Sequence, residues 1–154
     1  MTTVRFVIPG EPVSWKRAKR GNGFSYTDPK DKAHREKIRA YARNAGVRRP
    51  FTGEVRLDVL VFTSLPPLDR RVGDRDNYLK GVQDALQGIA VRDDRQFCDG
   101  RTLKAQDASR PRTEVVIQPL PEPEAVTWDE AVQQAEDARL AELRTGKDLN
   151  KGPA

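Results

Sequence analysis

Hydrophobic and polar positions divide the chain into short alternating runs and two stretches with helical period. Val4-Arg5-Phe6-Val7-Ile8 alternates and predicts a first strand, closed by Pro9-Gly10-Glu11-Pro12. Residues 54–62 alternate over a longer run. Val55, Leu57, Val59 and Val61 share one face, and Glu54, Arg56 and Asp58 start the other before Leu60 and Phe62 turn it apolar. This predicts a long strand, wet on one face at its start and buried on both at its end. Residues 114–118 predict a further strand after the polar turn 109–113, and residues 95–106 a weaker one around Phe97, Cys98 and Leu103.

The first helical stretch covers residues 29–45. Ala33, Ile38, Ala42 and Ala45 give it a thin apolar side that Tyr41 widens. Asp28 suits the N-cap, Pro29 the first helical position and Gly46 the stop. In the second, at about 100° per residue, Tyr78, Leu79, Val82, Ala85, Leu86 and Ile89 fall in one arc, and Gln87-Gly88 ends the run. The order strand, helix, strand, helix, strand, strand predicts an α+β fold: a mixed β-sheet with two main helices packed on it. Beyond Pro119 the pattern changes. Pro119-Leu120-Pro121-Glu122-Pro123 reads as an extended linker, and Thr127-Trp128-Asp129-Glu130 as a capping box opening a helix that runs to about Arg144. The expected organisation is a domain over 1–120 and a helical tail over 121–154.

Charge sharpens this division. The chain of 154 residues has net charge +5, but residues 121–154 hold four Lys and Arg against eight Asp and Glu, net −4, so the first 120 carry +9. A basic body with an acidic tail suggests a polyanionic partner. Trp15 to Tyr26 concentrates the signal. Lys16, Arg17, Lys19 and Arg20 suit phosphates, Trp15, Phe24 and Tyr26 suit bases, and Gly21 and Gly23 predict a mobile loop. No apolar run approaches the roughly 18 residues that span a bilayer, and the N-terminus lacks the pattern of a signal peptide. The single cysteine, Cys98, excludes an internal disulfide and a cysteine-built zinc site, and fits a reducing cytoplasm. His34, in a charged stretch, reads as a solvated helix residue.

The polar side of the second helix carries the candidate chemistry. Asp76, Lys80 and Asp84 are spaced i, i+4, i+8 and line up opposite the apolar arc. Asp74 fits the end of the incoming loop as N-cap, its carboxylate beside that of Asp76. Asp93 and Asp94 add two acids after a short turn, and Arg70 and Arg71 precede the group. Three carboxylates from two segments, with one lysine, make up the inventory of a divalent-metal site that hydrolyses phosphodiesters. The same ladder is also what an ordinary surface salt-bridge series looks like, worth about 0.3–0.5 kcal/mol per pair.

These residues resemble a known family. Asp74-x-Asp76-Asn77-x-x-Lys80, then Asp84-Ala85-Leu86, then Asp93-Asp94 with Gln96, is similar to the signature of the RusA Holliday-junction resolvases. Ile8-Pro9-Gly10-Glu11-Pro12-Val13 resembles that family's opening, and the resemblance covers roughly residues 4–118. It implies Asp74, Asp76 and Asp94 as ligands of Mg²⁺, or of Mn²⁺ in its place, with Lys80 assisting catalysis. A turn about one residue short leaves the third ligand open between Asp94 and Asp93. Asn77, Asp84 and Asp93 would support the site from behind. Lys104 matches a basic position and joins Lys16, Arg17, Lys19, Arg20, Arg70 and Arg71 as a candidate DNA contact. The family often has proline before the first acid; Gly73 here predicts a looser approach to Asp74. The implied function is Mg²⁺-dependent resolution of four-way DNA junctions in recombination and repair, by a cytoplasmic homodimer acting on branched DNA and no membrane. Two other readings are a catalytically degenerate protein that binds branched DNA, and a metal-dependent phosphohydrolase acting on nucleotides.

Overall fold

The computed structural model describes residues 2–16, 19–21, 24–26, 28–122 and 127–146. In chain order the elements are β1 (Val4–Pro9), β2 (Lys19–Gly21), β3 (Phe24–Tyr26), α1 (Pro29–Asn44), β4 (Val55–Thr63), α2 (Arg75–Leu86), a 3-10 turn (Asp94–Gln96), β5 (Phe97–Asp99), β6 (Thr102–Gln106), β7 (Arg112–Pro119) and α3 (Trp128–Gly146). The chain forms two compact units, Met1–Pro121 and Glu122–Ala154.

In the first unit, β4 lies inside a mixed five-stranded sheet of order β1-β7-β4, with β5 and then β6 following one another along β4's other edge. Its β-branched run suits that place, because one face is closed over completely. Val55, Val59 and Val61 are inaccessible to solvent and Leu57 nearly so. β7 pairs antiparallel with both β4 and β1. β5 and β6 pair parallel to β4, from Val55↔Phe97 to Thr63↔Gln106. Parallel neighbours need a crossover, and α2 is that crossover. This β4–α2–β6 arrangement sets the start of α2 beside the edge strand β6.

The core is the contact between the closed sheet face and the two helices. Tyr78, Val82, Ala85 and Leu86 of α2 meet Ile38 and Ala42 of α1 with Phe6, Ile8, Val115 and Ile117 of the sheet, while Leu79 and Ile89 stay at the margin. The apolar arc predicted for α2 and the Ile38–Ala42 part of that for α1 are therefore the buried sides, while Ala33 is exposed. Asp28 caps α1 by accepting from the Lys30 N–H, with Pro29 in the first turn, and Gly46 leaves the helix at φ 110°. No basic residue stands in the last turn of α2, and α1 supplies one. Arg39 Nε donates to Ala85 O at 2.9 Å and its Nη2 to Gln87 O at 3.2 Å, satisfying carbonyls the helix leaves open.

Four expectations change. Leu60 and Phe62 are half-buried, because α1 and α2 pack on the opposite sheet face; Arg112 stacks over the Phe62 ring at 3.9 Å. The segment expected as a loop after Trp15 contains the hairpin β2–β3, with Lys19↔Tyr26 and Gly21↔Phe24 paired. The weak strand over 95–106 is broken into the 3-10 turn, β5 and β6. Gly100, at φ 151°, lies so close to Leu57 that a Cβ would overlap that residue's backbone, and the ladder restarts beyond it. His34 is not a solvated residue. It lies one turn before Ile38 on the inward side of α1 and is half-buried.

The second unit is the helix α3. Thr127 and Glu130 form its capping box: the Glu130 carboxylate accepts from the Thr127 N–H at 2.8 Å, and the Thr127 hydroxyl accepts from the Glu130 N–H at 3.3 Å. Trp128, Val132 and Leu140 are exposed.

Candidate active site

The chain reaches α2 through Gly73, and three contacts clamp that residue. Its N–H donates to the Tyr78 hydroxyl at 3.1 Å, its carbonyl accepts from Lys104 Nζ at 2.9 Å, and a Cβ on it would overlap the Ser14 side chain. The looser approach expected from glycine is therefore wrong. Glycine is needed because Ser14 packs against it, and the loop is held on both polar groups. Lys104 reaches Gly73 because the crossover brings β6 beside the start of α2. Expected as a DNA contact, it instead orders the backbone that leads to Asp74.

Asp74 is the N-cap residue of α2, with extended backbone angles and no side-chain capping bond. Among the described residues its carboxylate has no hydrogen-bond or ion-pair partner. Asp76, in the first turn, is 82% exposed and has a long 3.4 Å contact with the Arg75 guanidinium. One turn on, Lys80 Nζ lies 3.0 Å from Asp84 Oδ1 and 3.7 Å from Asp94 Oδ2. The Asp84 hydrogen bond, followed by the charges of Asp84 and Asp94, raises the Lys80 pKa against the opposing effect of burial. The ammonium thus joins α2 to the 3-10 turn.

Asp93 and Asp94 differ in their attachments. Asp93 caps the 3-10 turn: Oδ1 accepts from the Arg95 N–H and Nε at 2.9 Å each, and Oδ2 from Nη2 at 2.8 Å. These bonds hold its carboxyl well below the usual carboxylate range. Gln96 completes a capping box. Its Oε1 accepts from the Arg92 and Asp93 N–H groups, and its Nε2 donates to Phe51 O and Gly53 O, both at 2.9 Å. The turn is fastened to the body, and Asp94 is left facing Lys80. This staple was legible in the sequence as Asp93-x-x-Gln96, the capping-box spacing.

Other expected site residues fall as follows. Arg71 is engaged by Asp69, with Oδ1 to Nε at 2.9 Å and Oδ2 to Nη2 at 2.8 Å, and its side-chain bonds pull Asp69 down to about 2. Arg70 and Arg71 are both exposed, but Arg71 is paired within its own loop. Lys16 is exposed. Arg17 lies outside the described residues, as do the side chains of Lys19 and Arg20, whose backbone belongs to β2. Asn77 offers its carbonyl to the Trp15 N–H at 3.1 Å.

Beside this cluster lie Trp15 and Lys16, which the sequence marked for DNA, and Asp31, His34 and Arg35, which the sequence reading missed. Val13 to Lys16 runs along α2, where the Trp15 Cβ lies 3.6 Å from the position a Gly81 Cβ would occupy. With Asp31, His34 and Arg35 of α1 and Asp84 of α2, this segment encloses a cleft of about 230 Å³. Burial, followed by the charge of Lys37, lowers the His34 pKa against the pull of Asp31, so the imidazole is neutral at neutral pH. The i, i+4, i+8 spacing of His34, Ile38 and Ala42 was the available signal for its inward position.

Residues 9–118 match the family Endodeoxyribonuclease RusA. The chain belongs to that family. The match contains every element of the cluster just described and ends before α3. An uncharacterized protein, YqaN of Bacillus subtilis (strain 168), is 30% identical over 140 residues, covering 76% of this chain and 96% of that protein. RusA membership implies endodeoxyribonuclease activity, binding of branched DNA junctions and a role in recombination. RusA nucleases in general depend on a divalent metal. Among the described residues no three acids, histidines or cysteines stand together as a ready cation site, so the expected grouping of Asp74, Asp76 and Asp94 is not assembled. Like charges repel, and Lys80 has drawn in Asp84 and Asp94. The donor chemistry nevertheless fits Mg²⁺. Asp74 and Asp76 offer hard oxygen donors with few internal commitments. No described helix is long and apolar enough to cross a membrane.

Proposed function

We propose that this protein is a divalent-metal-dependent, structure-selective endodeoxyribonuclease that resolves four-way DNA junctions as a homodimer. The observation that supports this most is the joining of Lys80 with Asp94 one turn along α2 from Asp76, within the segment that matches the RusA family. Asp74, Asp76 and Asp94 would hold Mg²⁺, or Mn²⁺ in its place. When bound, the ion supplies Lewis acidity toward the phosphate and lowers the pKa of a water.

The chain's own groups do the remainder. Lys80, kept charged by Asp84 and Asp94, stabilises the negative charge that grows on the phosphate oxygens in the transition state. Asp84 holds that ammonium in place, and Asp93, by capping the 3-10 turn, presents Asp94. Asn77 steadies the Trp15 segment on α2. Lys16, Arg17, Lys19, Arg20 and Arg70 neutralise backbone phosphates of the junction arms. A four-way junction offers two symmetric strands, which suits a two-fold dimer.

A second reading, a catalytically degenerate protein that binds branched DNA, is favoured by the open arrangement of the carboxylates. One experiment separates them: incubation of the full chain with a synthetic four-way junction and with a linear duplex, with and without Mg²⁺. Paired symmetric nicks in the junction, dependent on Mg²⁺, support the nuclease. Tight junction binding with no cut in Mg²⁺ or Mn²⁺ supports the degenerate reading.

A further inference from the structure

We propose that the cleft between α1, the Val13–Lys16 segment and α2 takes one unstacked, amino-bearing nucleobase of the DNA substrate, held next to the Lys80 cluster. This rests on the nuclease reading above and names the part of the substrate that the site grips. The cleft's 230 Å³ lies below the roughly 300–1,000 Å³ of pockets for drug-sized ligands, which suits one base better than a larger ligand. Its walls carry the surfaces that bind a lone base. Trp15 and His34 are flat rings, Arg35 adds a planar guanidinium, and Lys16 and Arg35 are cations for the phosphates on either side.

Polar specificity comes from Asp31 and Asp84. Carboxylates accept hydrogen bonds and donate none when ionised, so they suit the exocyclic amino groups of cytosine, adenine or guanine, whereas thymine has no amino group and offers them only its N3–H. The His34 imidazole, neutral because it is buried, adds one donor and one acceptor.

The cleft is also rigidly registered on the reacting helix. The Trp15 N–H is bonded to Asn77 O at 3.1 Å, and the Trp15 Cβ lies 3.6 Å from where a Gly81 Cβ would stand, so the segment lies against α2. Asp84 belongs to both places: it lines the cleft and holds Lys80 at 3.0 Å. A base seated there would fix its neighbouring phosphates within reach of the lysine. At a branch point stacking is already interrupted, so taking out a base costs less than it does in continuous duplex.

An abasic scan of the junction tests this. Four-way junctions carrying one abasic nucleotide at each position around the branch are bound and cut by the full chain. One position per cleaved strand should lose about tenfold in affinity when its base is removed, in line with a single base–aromatic stack. Thymine at that position should be weaker than cytosine or adenine. Trp15→Leu should lose the same factor on the intact junction and nothing further on the abasic one, while Trp15→Phe, which keeps a ring, should retain most of the binding. A flat abasic scan with normal cleavage overturns this proposal and leaves the nuclease reading standing. Penalties from Trp15→Leu and the abasic site that multiply show that Trp15 acts elsewhere, and overturn it too. Free deoxynucleoside monophosphates that bind the cleft more tightly than the junction does would make it a nucleotide site and not a DNA site. No junction binding at all removes both readings.

Discussion

Asp69 and Asp93 on one hand, Asp74 and Asp76 on the other, are the same residue type in neighbouring segments, yet they are used differently. Each of the first two has an arginine two residues on, and each makes the same set of bonds to it: one oxygen to the backbone N–H and Nε, the other to Nη2. Asp74 has another acid at that spacing, Asp76. An acid there, or Tyr78 two residues after Asp76, cannot close this local ring, so Asp74 keeps an unpaired carboxylate among the described residues and Asp76 only the long 3.4 Å contact with Arg75. The difference teaches that a two-residue Asp–Arg ring consumes acids at turns, and that acids outside such a ring are the ones available for a ligand. Asp94 follows the same logic at longer range, since its cation, Lys80, comes from another element.

The largest test of this contrast is in cleavage. Asp76→Asn should reduce junction cutting on the order of 10²–10³-fold, as when other charge-stabilising groups are lost, while keeping or tightening junction binding. Asp69→Asn, which removes a locally consumed acid, should stay within about threefold of the parent. Single-turnover cleavage and gel-shift affinity on the two variants read both arms. Equal losses would erase the distinction drawn here.

The loop before the open acids gives the next effect. Gly73→Ala should destabilise by about 1–3 kcal/mol through overpacking against Ser14. Ser14→Gly added to it should recover much of that loss in urea unfolding. Lack of recovery would mean that the glycine is required for its backbone and not for its close neighbour.

The paired acids should show themselves in acid unfolding. Asp69 has a folded pKa of about 2, and Asp93 is also depressed, against about 3.9 in an unfolded chain. A depressed acid contributes stability that is complete above its unfolded value and is lost as pH falls through the folded one. Asp69→Asn and Asp93→Asn should therefore lower the melting temperature slightly at pH 7 and flatten its fall below about pH 4.

The smallest effect concerns the acidic helix. Truncation after Leu120 should leave cleavage intact and tighten junction binding modestly at low salt, with no change at high salt, because screening removes a competition between the net −4 tail and phosphate. Affinity measured at two ionic strengths decides it. A loss of cleavage would show that α3 has a part in the reaction.

The sequence by itself determined the longer elements and the sides they bury most deeply. Tyr78, Val82, Ala85 and Leu86 announce the inner face of α2 by their period, as Ile38 and Ala42 do for α1 and the alternating valines for β4, because period depends only on local geometry. It also marked the polar line Asp76, Lys80 and Asp84. It could not say that Lys104 would spend itself on the Gly73 carbonyl, or that Ser14 would require that glycine. Nor could it say that His34 and Trp15 would share a cleft with Asp84. These partners are separated by many residues in the chain and meet through the β4–α2–β6 crossover and the packing of α1 on α2. The choice of Asp94 as Lys80's partner was decided in the same way. Both acids stand side by side in the sequence, and the fold ties one to Arg95 and turns the other toward a lysine on a different helix.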